Sequence, residues 1–326
     1  MFNRRQLIAS TSLLLAAPFI RAQGTAAAFP AKPVTMVVPF AAGQSGDILA
    51  RLIGEALTRQ WGQPLVIDNK GGAGGTLGSI AVARANADGY TLLLGSSGPT
   101  AIAPSLYKKV GYDPNKDFTP IVNVAGVPQV LLVPGGSPYR TVQELVAAAK
   151  AQPGKLSYGS GGKGSTAHLT MELFKSMAGV EMEHVPYKGA GPAYPDLLAG
   201  RLDAMFDTTP AALPFIKAGQ IRALGVSTAK RTPSLPDVPT LDQAGVKGFE
   251  LVAWWGVVAP AGLNPAVQQR LNQEFRKVLA LDEVRRKLED MGMVVLAGSS
   301  DEFRQFIRNE HQKFAEVIRA NNIVVE

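Results

Sequence analysis

One short stretch constrains the fold of this chain more than any other: an apolar run, Val34 to Val38, that stops at Pro39. Small residues follow, and then a segment with apolar residues on one face and Asp47 in its first turn. A short apolar run bounded by Pro is typical of a buried strand, whereas apolar residues spaced three and four apart are typical of a helix. The stretch therefore predicts a strand, a loop and a helix N-terminus, whose backbone N–H groups can bind an anion.

This pattern of strand, small-residue loop and helix recurs along the chain. Apolar runs at 65–69 and 90–95 alternate with helical segments, and the pattern resumes after residue 130 with a loop rich in Gly and Ser at 159–166. Strands that alternate with helices this closely predict an α/β fold, in which helices cover both faces of a mainly parallel sheet. Ligands bind outside the carboxyl ends of the strands in such sheets, so we expect a site at the loops that follow the strands.

Two long apolar stretches divide the chain. The first contains Pro120 and Pro128, and we predict that one strand leaves a first domain here and that a new strand, Val130 to Val133, begins the second domain. The other stretch, FELVAWWGVVAPAG from residue 249, predicts a return crossing. The expected division is a discontinuous first domain, 29–125 and 250–326, and a second domain, 126–249, with the two crossing strands as the hinge.

The first 22 residues predict an export signal. Arg4 and Arg5 precede an apolar segment, Leu7 to Ile20, and a cleavage site is expected near Ala22. The Arg pair leaves the Sec and the twin-arginine export routes both open. We therefore expect the mature protein to lie in the periplasm.

Composition excludes several kinds of site. The chain has no Cys and only three His, far apart in sequence, so it offers neither thiolates nor a histidine cluster for a metal. The signal segment holds three Arg and no acid, so its removal lowers the formal net charge from +7 to +4. This mild charge, without a stripe of Lys and Arg among aromatic residues, argues against nucleic-acid binding. We predict no metal, no cofactor and no catalytic residue.

Several sequence blocks, in order along the chain, carry a resemblance to a known family. They include PFAAGQSGDILAR at 39, DNKGGAGGTLG at 68, YGSGGKGSTAHL at 158 and HVPYKGAGPAYPDLLAGRLDAMFD at 184. With these blocks the mature chain closely resembles the Bug-type solute receptors, the periplasmic substrate-binding subunits of tripartite tricarboxylate transporters. The resemblance implies a two-domain, hinged periplasmic-binding-protein fold, type II-like. It also implies binding of a small carboxylate without chemistry and delivery to the membrane components of the transporter, and we expect a monomer.

Three residues depart from the usual family pattern. Gln44 stands where the family usually has a second Gly, and Gly46 stands where it usually has Thr or Ser. In the loop at 159–166, Lys163 stands where the family often has a neutral residue. These departures are compatible with the fold and leave the identity of the carboxylate open.

Two loops that precede helices supply most of the candidate ligand-binding residues, because backbone N–H groups and the helix dipole favour an anion there. Polar residues that follow two other strands complete the set. A structural role is the alternative for many of them: a helix start for Asp47, a turn for Asp207, a cap for the serines, a solvated loop for Lys163 and the core for Phe40. The predicted ligand-binding residues are Phe40, Ala42, Gly43, Gln44, Ser45, Asp47, Ser96, Ser97, Gly162, Lys163, Ser165, Thr166, Asp207 and Thr208.

Other functions and other residues fit the sequence less well. An exported serine hydrolase acting on small esters is the alternative function, but GSSG at 95 and GQSG at 43 fall short of the G-x-S-x-G spacing. The loop at 159–166 has Lys163 before Gly164, which is not the order of a nucleotide-binding loop. Trp254 and Trp255 are neighbours in a predicted strand and should face opposite sides, so neither is assigned to the ligand.

Overall fold

The structure is a computed structural model that describes residues 29–320 and Ile323. The predicted signal segment, residues 1–22, lies outside the described residues. Of the described helices, none is both long enough and apolar enough to cross a membrane.

The amino-terminal part of the chain forms a parallel sheet of three strands with helices between them. Strand β1 is buried along nearly its whole length and pairs in parallel with β2 and β3, as expected for a strand covered on both faces. Gly62, in the left-handed conformation at φ +66°, ends α1, where its N–H donates to the carbonyl of Thr58. The elements are β1 (Val34–Val38), α1 (Ser45–Trp61), β2 (Leu65–Asn69), α2 (Thr76–Ala83), β3 (Thr91–Ser96) and α3 (Ala103–Leu106).

A long strand, β4 (Phe118–Pro134), leads into a second set of strands and helices. Here β5 pairs in parallel with β6 and β7, while β7 and β8 flank the second half of β4 in the antiparallel direction. These elements are α4 (Val142–Ala151), β5 (Ser157–Ser160), α5 (Thr166–Ala178), β6 (Glu183–Pro186), α6 (Tyr194–Leu198), β7 (Ala204–Thr208), α7 (Thr209–Lys217) and β8 (Ile221–Val226).

The carboxyl-terminal part of the chain returns to the first set of strands. Strand β9 lies antiparallel between β3 and β4, and β10 pairs with β4 on its other side. The last helix packs on β4, and the two helices after β9 contact α1. These elements are β9 (Val252–Pro260), α8 (Pro265–Leu279), α9 (Asp282–Asp290), β10 (Val294–Val295) and α10 (Ser300–Ala320).

Across the described residues, the ten strands form one mixed, curled sheet in the order β2-β1-β3-β9-β4-β7-β5-β6, with β8 and β10 also paired to β4. We call β1–β3, β9, β10 and the first half of β4, with the helices packed on them, the first lobe. The second lobe comprises β5–β8 and the second half of β4, with their helices. Each lobe has parallel strands flanked by helices, which confirms the predicted α/β fold. The boundaries between the two domains stay a prediction.

The prediction of a new strand at Val130 is wrong, because β4 is one continuous strand of 17 residues. Its two prolines do not interrupt it. Pro120 lies where the register between β4 and β9 shifts, and Pro128 lies where the pairing of β4 passes from β9 to β7. A strand tolerates Pro at such irregular positions, because the missing N–H there does not remove a regular ladder hydrogen bond.

The hydrophobic core continues from one lobe into the other. In a single cluster of buried side chains, the ring of Phe206 stacks on Phe249 at 6.3 Å between centroids, and Trp254 meets Phe303 edge-on at 5.7 Å. The first pair lies in the second lobe and the last pair in the first lobe. The lobes are thus joined by apolar packing as well as by β4.

Candidate functional site

A cavity of about 50 Å³ lies between the lobes, where the carboxyl ends of β1, β3, β5 and β7 meet the starts of α1 and α5. One ordered water takes up roughly 10–15 Å³ on the same measure, so the cavity has room for a small molecule. The predicted residues that line it are Phe40, Gln44, Ser45, Ser96, Ser165, Thr166, Asp207 and Thr208. The other six, Ala42, Gly43, Asp47, Ser97, Gly162 and Lys163, lie outside this lining.

The start of α1 lies at the cavity, which Gln44 and Ser45 line. Gln44 is extended, at φ −82° and ψ 166°, and precedes the first helical residue, Ser45. The first N–H groups of any helix have no acceptor within the helix, so those of Ser45 and its neighbours are available to a ligand. Gly43, at φ +83°, makes the turn into the helix in a conformation that favours glycine.

Asp47 supports this turn and does not face the cavity. Its carboxylate accepts hydrogen bonds from the N–H of Gly43 at 2.9 Å and from Nε of Arg51 at 3.0 Å. Burial disfavours the charged form, but the hydrogen bonds from Arg51, Gly43 and Asn69 outweigh it and hold the pKa of Asp47 below its usual value. Its geometry is that of a helix-start carboxylate.

The start of α5 is the matching feature of the second lobe. Ser165 caps this helix, with its Oγ accepting from the N–H of His168 at 3.3 Å. In the preceding loop the N–H of Gly162 donates to Oγ of Ser160, and the N–H of Gly164 donates to Nδ1 of His168. These bonds occupy donors of the loop itself, whereas the first helical residues, Thr166 and Ala167, line the cavity and have N–H groups without an acceptor inside the helix.

Two neighbouring serines at the end of β3 have different surroundings. Ser97 is fully buried, and its Oγ accepts from the N–H of Trp254 at 2.9 Å, which is a structural contact. Ser96 lines the cavity, and its Oγ has no hydrogen-bond partner within residues 29–320.

Asp207 lines the cavity at the end of β7 but is already hydrogen-bonded within the protein. Its Oδ2 accepts from the hydroxyl of Tyr194 at 2.9 Å, and its Oδ1 accepts from the N–H of Thr208 at 2.7 Å. Burial raises the pKa of Asp207 to about 6, because the hydrogen bonds only partly offset the loss of hydration of the charged form. Above that pH, Asp207 brings a negative charge to the cavity.

Sequence reasoning missed several residues of the lining. Trp254 and Trp255 both border the cavity, but their side chains point to opposite faces of β9, as expected for neighbours in a strand. The ring of Trp255 lies against Phe40, whereas the indole of Trp254 packs on Phe303 and donates to Glu310. Gln129 could have been recognised from the sequence, because it is a polar residue inside the apolar run that forms β4. The missed residues are Gln129, Gly161, Ala167, Ala190, Ala253, Trp254 and Trp255.

Trp255 also explains the glycine at position 46. The indole lies edge-on to Phe40 at 5.7 Å between centroids and covers the first turn of α1. A Cβ placed on Gly46 would lie only 2.6 Å from Cη2 of Trp255. The side chain of Trp255 thus fills the space that the usual Thr or Ser at position 46 would need.

Contacts across the cavity hold the lobes together. The side-chain oxygen of Gln44, in the amide orientation that pairs it with donors, accepts from the N–H of Gly191 at 2.8 Å and from the N–H of Ala190. The hydroxyl of Tyr107 donates to the carbonyl of Lys163 at 2.6 Å. A Cβ on Gly74 would overlap that same carbonyl, so the two backbones approach as closely as only glycine permits. The two lobes therefore contact each other at the rim of the cavity.

The arrangement gives the hydrolase alternative no support. His168 and His184 stack on each other in the second lobe at 4.3 Å between centroids, and Nε2 of His184 contacts Oγ of Ser160, which lies outside the cavity lining. His311 contacts Asn115. In the part of the chain that the structure describes, no three side chains of the types that bind metals come together as a candidate metal site.

A two-lobed α/β fold with a cavity between its lobes defines a binding protein of the periplasmic type. The family model of the tripartite tricarboxylate transporter family receptor matches residues 49–323, and the chain belongs to this family. Protein BugT of Bordetella pertussis is 36% identical over 318 residues, which are 97% of this chain and 98% of BugT. The resemblance to Bug-type receptors is confirmed, and the family is one of solute receptors.

Two solved structures of similar proteins hold carboxylates. R. palustris Rpa4515, solved with adipate, is 40% identical with a TM-score of 0.88, over 91% of this chain and 99% of that one. MatC from Rhodopseudomonas palustris, solved with bound malate, is 34% identical with a TM-score of 0.85, over 89% of this chain and 100% of that one.

Proposed function

We propose that this protein is an exported receptor that binds a small organic carboxylate between its lobes and delivers it to the membrane components of a tripartite tricarboxylate transporter. The observation that carries the proposal is that two helix N-termini from opposite lobes, those of α1 and α5, open on one cavity. The adipate and malate in the two similar structures support the same ligand class.

The charges around the cavity fit one carboxylate. Each helix N-terminus acts as roughly half a positive charge, so two together offset about one negative charge. Within the described residues, the lining includes no Lys or Arg, so backbone donors and helix dipoles are what stabilises the anion there. Binding through backbone groups explains why the sequence alone did not identify the acid.

The remaining parts of the proposal concern export and motion. Residues 1–22 act as the signal, cleaved near Ala22, and the mature protein works as a monomer in the periplasm. The two domains, 29–125 with 250–326 and 126–249, rotate about β4 and β9 and close on the ligand. The closed form is the one presented to the membrane components.

A thermal-shift screen of the mature protein tests the ligand class. We expect mono-, di- or tricarboxylates to raise the melting temperature, because a ligand at 100 times its Kd adds roughly 2.7 kcal/mol to the free energy of unfolding. Absence of a shift with every carboxylate would contradict the proposal. If the wild type hydrolyses small esters and Ser97→Ala abolishes that activity, the result would favour the hydrolase instead.

A proline at the first position of a helix tests the role of the N-termini. Thr166→Pro removes one N–H from the start of α5, and the extended Ser165 before it is compatible with Pro, so the helix should still form. We expect the affinity for the best carboxylate to fall about 10- to 100-fold, the effect of losing a hydrogen bond to a charged group. The matched control, Asp282→Pro at the exposed start of α9, should leave the affinity unchanged.

A further inference from the structure

The side chain of Gln44 extends from the first lobe to the second at the wall of the cavity. Its amide oxygen accepts from the N–H groups of Ala190 and Gly191, and Gln44 is only 7% exposed. Gln44, Ala190 and Gly161 all line the cavity. A Cβ on Gly161 would lie 3.2 Å from the backbone nitrogen of Ala190, so this nitrogen lies close to the lining. The Gln44 amide therefore covers backbone donors beside the cavity.

The loop of the second lobe fits closely around this amide. Gly189 has a φ of +106°, and a Cβ at this position would lie only 3.0 Å from the end of the Gln44 side chain. Glycine permits both the backbone conformation and the close approach. Because Gln44 is extended and directly precedes α1, its backbone is held at the cavity as well. The side chain is thus a packed part of the cavity wall.

Removal of this side chain would change the cavity in two ways. It would add the space that the side chain now fills, next to Ala190. It would also leave the N–H groups of Ala190 and Gly191 without their acceptor, and an unpaired buried donor costs about 1–3 kcal/mol. Since an oxygen from the first lobe already binds these two groups, a ligand oxygen in its place would meet the same donors. The added space and the free donors together favour a longer ligand that ends in an acceptor.

On the basis of the proposed carboxylate binding, we infer that Gln44 is a specificity-determining residue that limits the length of the ligand. Its side chain fills the end of the cavity next to Ala190. Its own oxygen binds the N–H groups that the far carboxylate of a longer dicarboxylate would otherwise bind. A glycine or alanine at this position would let the cavity accept the longer acid, while the first carboxylate stays between the starts of α1 and α5.

Calorimetric titration of the mature wild type and of Gln44→Gly tests this inference. The probes are unbranched dicarboxylates of four to eight carbons and the monocarboxylates of the same lengths. We expect the dicarboxylate that binds best to be longer for Gln44→Gly. The affinity for this acid, relative to the best ligand of the wild type, should rise about tenfold, the effect of a hydrogen bond to a charged group.

Two properties of the variants keep the test interpretable. Glycine adopts the extended conformation of Gln44 and is common before the first residue of a helix, so α1 should still form in Gln44→Gly. Gln44→Ala restricts the backbone more than glycine does and should change the preference in the same direction. Cooperative unfolding of both variants without ligand verifies that they are folded.

A variant of similar length separates the space from the hydrogen bonds. Gln44→Met fills the same space without the oxygen, so it should weaken all probes by a similar factor and leave the preferred length unchanged. The matched control is Tyr107→Phe, which also removes a hydrogen bond between the lobes but at a residue outside the cavity lining. It should leave the preferred length unchanged as well.

The outcomes separate this inference from the proposed function. If neither Gln44→Gly nor Gln44→Ala gains affinity for a longer dicarboxylate relative to the best ligand of the wild type, the inference fails and carboxylate binding stays intact. A gain in Gln44→Met as large as that in Gln44→Gly would also overturn it, because the side chain would then not act through its size. If the wild type binds none of the probes and no carboxylate shifts its melting temperature, the proposed function fails.

Discussion

At the scale of single residues, the site is shaped by the match between a small residue and a large one. Gly46 has no side chain, and the indole of Trp255 fills the space beside it against Phe40. The large side chain narrows the cavity from the side of the first lobe. The pair therefore limits which ligands fit next to the start of α1.

The size match predicts different results for two glycines of the same helix. Gly46→Ala should lower the free energy of unfolding by about 1–3 kcal/mol, because the new methyl group overlaps a ring that is itself packed. Gly54→Ala should be neutral or stabilise by up to about 1 kcal/mol, since its methyl group would make only an ordinary contact with Leu65 at 3.4 Å. Denaturant unfolding of both variants measures this, and equal effects would contradict the proposed crowding.

At the scale of elements, the loop at 159–166 rests on a stack of three buried rings. His184 lies between Tyr158, at 4.8 Å, and His168, at 4.3 Å. The histidines also hydrogen-bond to the loop, His184 to Ser160 and His168 to Gly164. The loop that leads to the start of α5 is thus held in place by side chains beneath it.

This stack predicts a loss of stability in acid. Burial lowers the pKa of His168 to about 4, and burial together with the neighbouring His168 lowers the pKa of His184 to about 3. Both pKa values lie below the value of about 6.5 in the unfolded chain, so below that pH unfolding takes up protons. The free energy of unfolding therefore falls by up to about 2.7 kcal/mol per pH unit for the two histidines together. The variant His184→Phe should halve this slope between pH 6 and 4.5 in denaturant titrations. An unchanged slope would show that His184 is not buried as a neutral ring.

The elements also show what the sequence could and could not predict. The start of α1 at Ser45 and the cap of α5 at Ser165 were predictable because a helix N-terminus is a local feature of a few residues. The positions of Gln129, Trp254 and Trp255 at the cavity were not, because they depend on which distant strands pair with β4 and β9. The continuity of β4 through Pro128 was missed for the same reason, since it depends on which strand pairs with β4 at that point.

At the scale of the whole molecule, the proposed closure of the lobes predicts a role for the hydrogen bonds between them. Tyr107, in the first lobe, donates to the carbonyl of Lys163 in the second. Gly164, next to it, has no room for a Cβ, which would lie 2.7 Å from the ring of Tyr107. Opening the lobes must break this contact together with that of Gln44.

Removal of the Tyr107 hydroxyl should therefore speed the release of the ligand. Tyr107→Phe is expected to raise the release rate about 2- to 10-fold, the effect of losing one hydrogen bond of the closed form. The control is Tyr112→Phe, which removes a hydrogen bond to the carbonyl of Pro99 within the first lobe and should leave the release rate unchanged. Stopped-flow fluorescence of the tryptophans at the cavity measures both rates, and equal rates for the two variants would contradict a role of Tyr107 in closure.

The uninterrupted course of β4 has a further consequence, for how the protein unfolds. Both lobes pair with this one strand, and the apolar cluster beneath it contains side chains from both. Neither lobe can lose its share of β4 without exposing part of the core of the other. The two lobes are therefore expected to denature as a single cooperative unit, even though the proposed function requires them to move relative to each other.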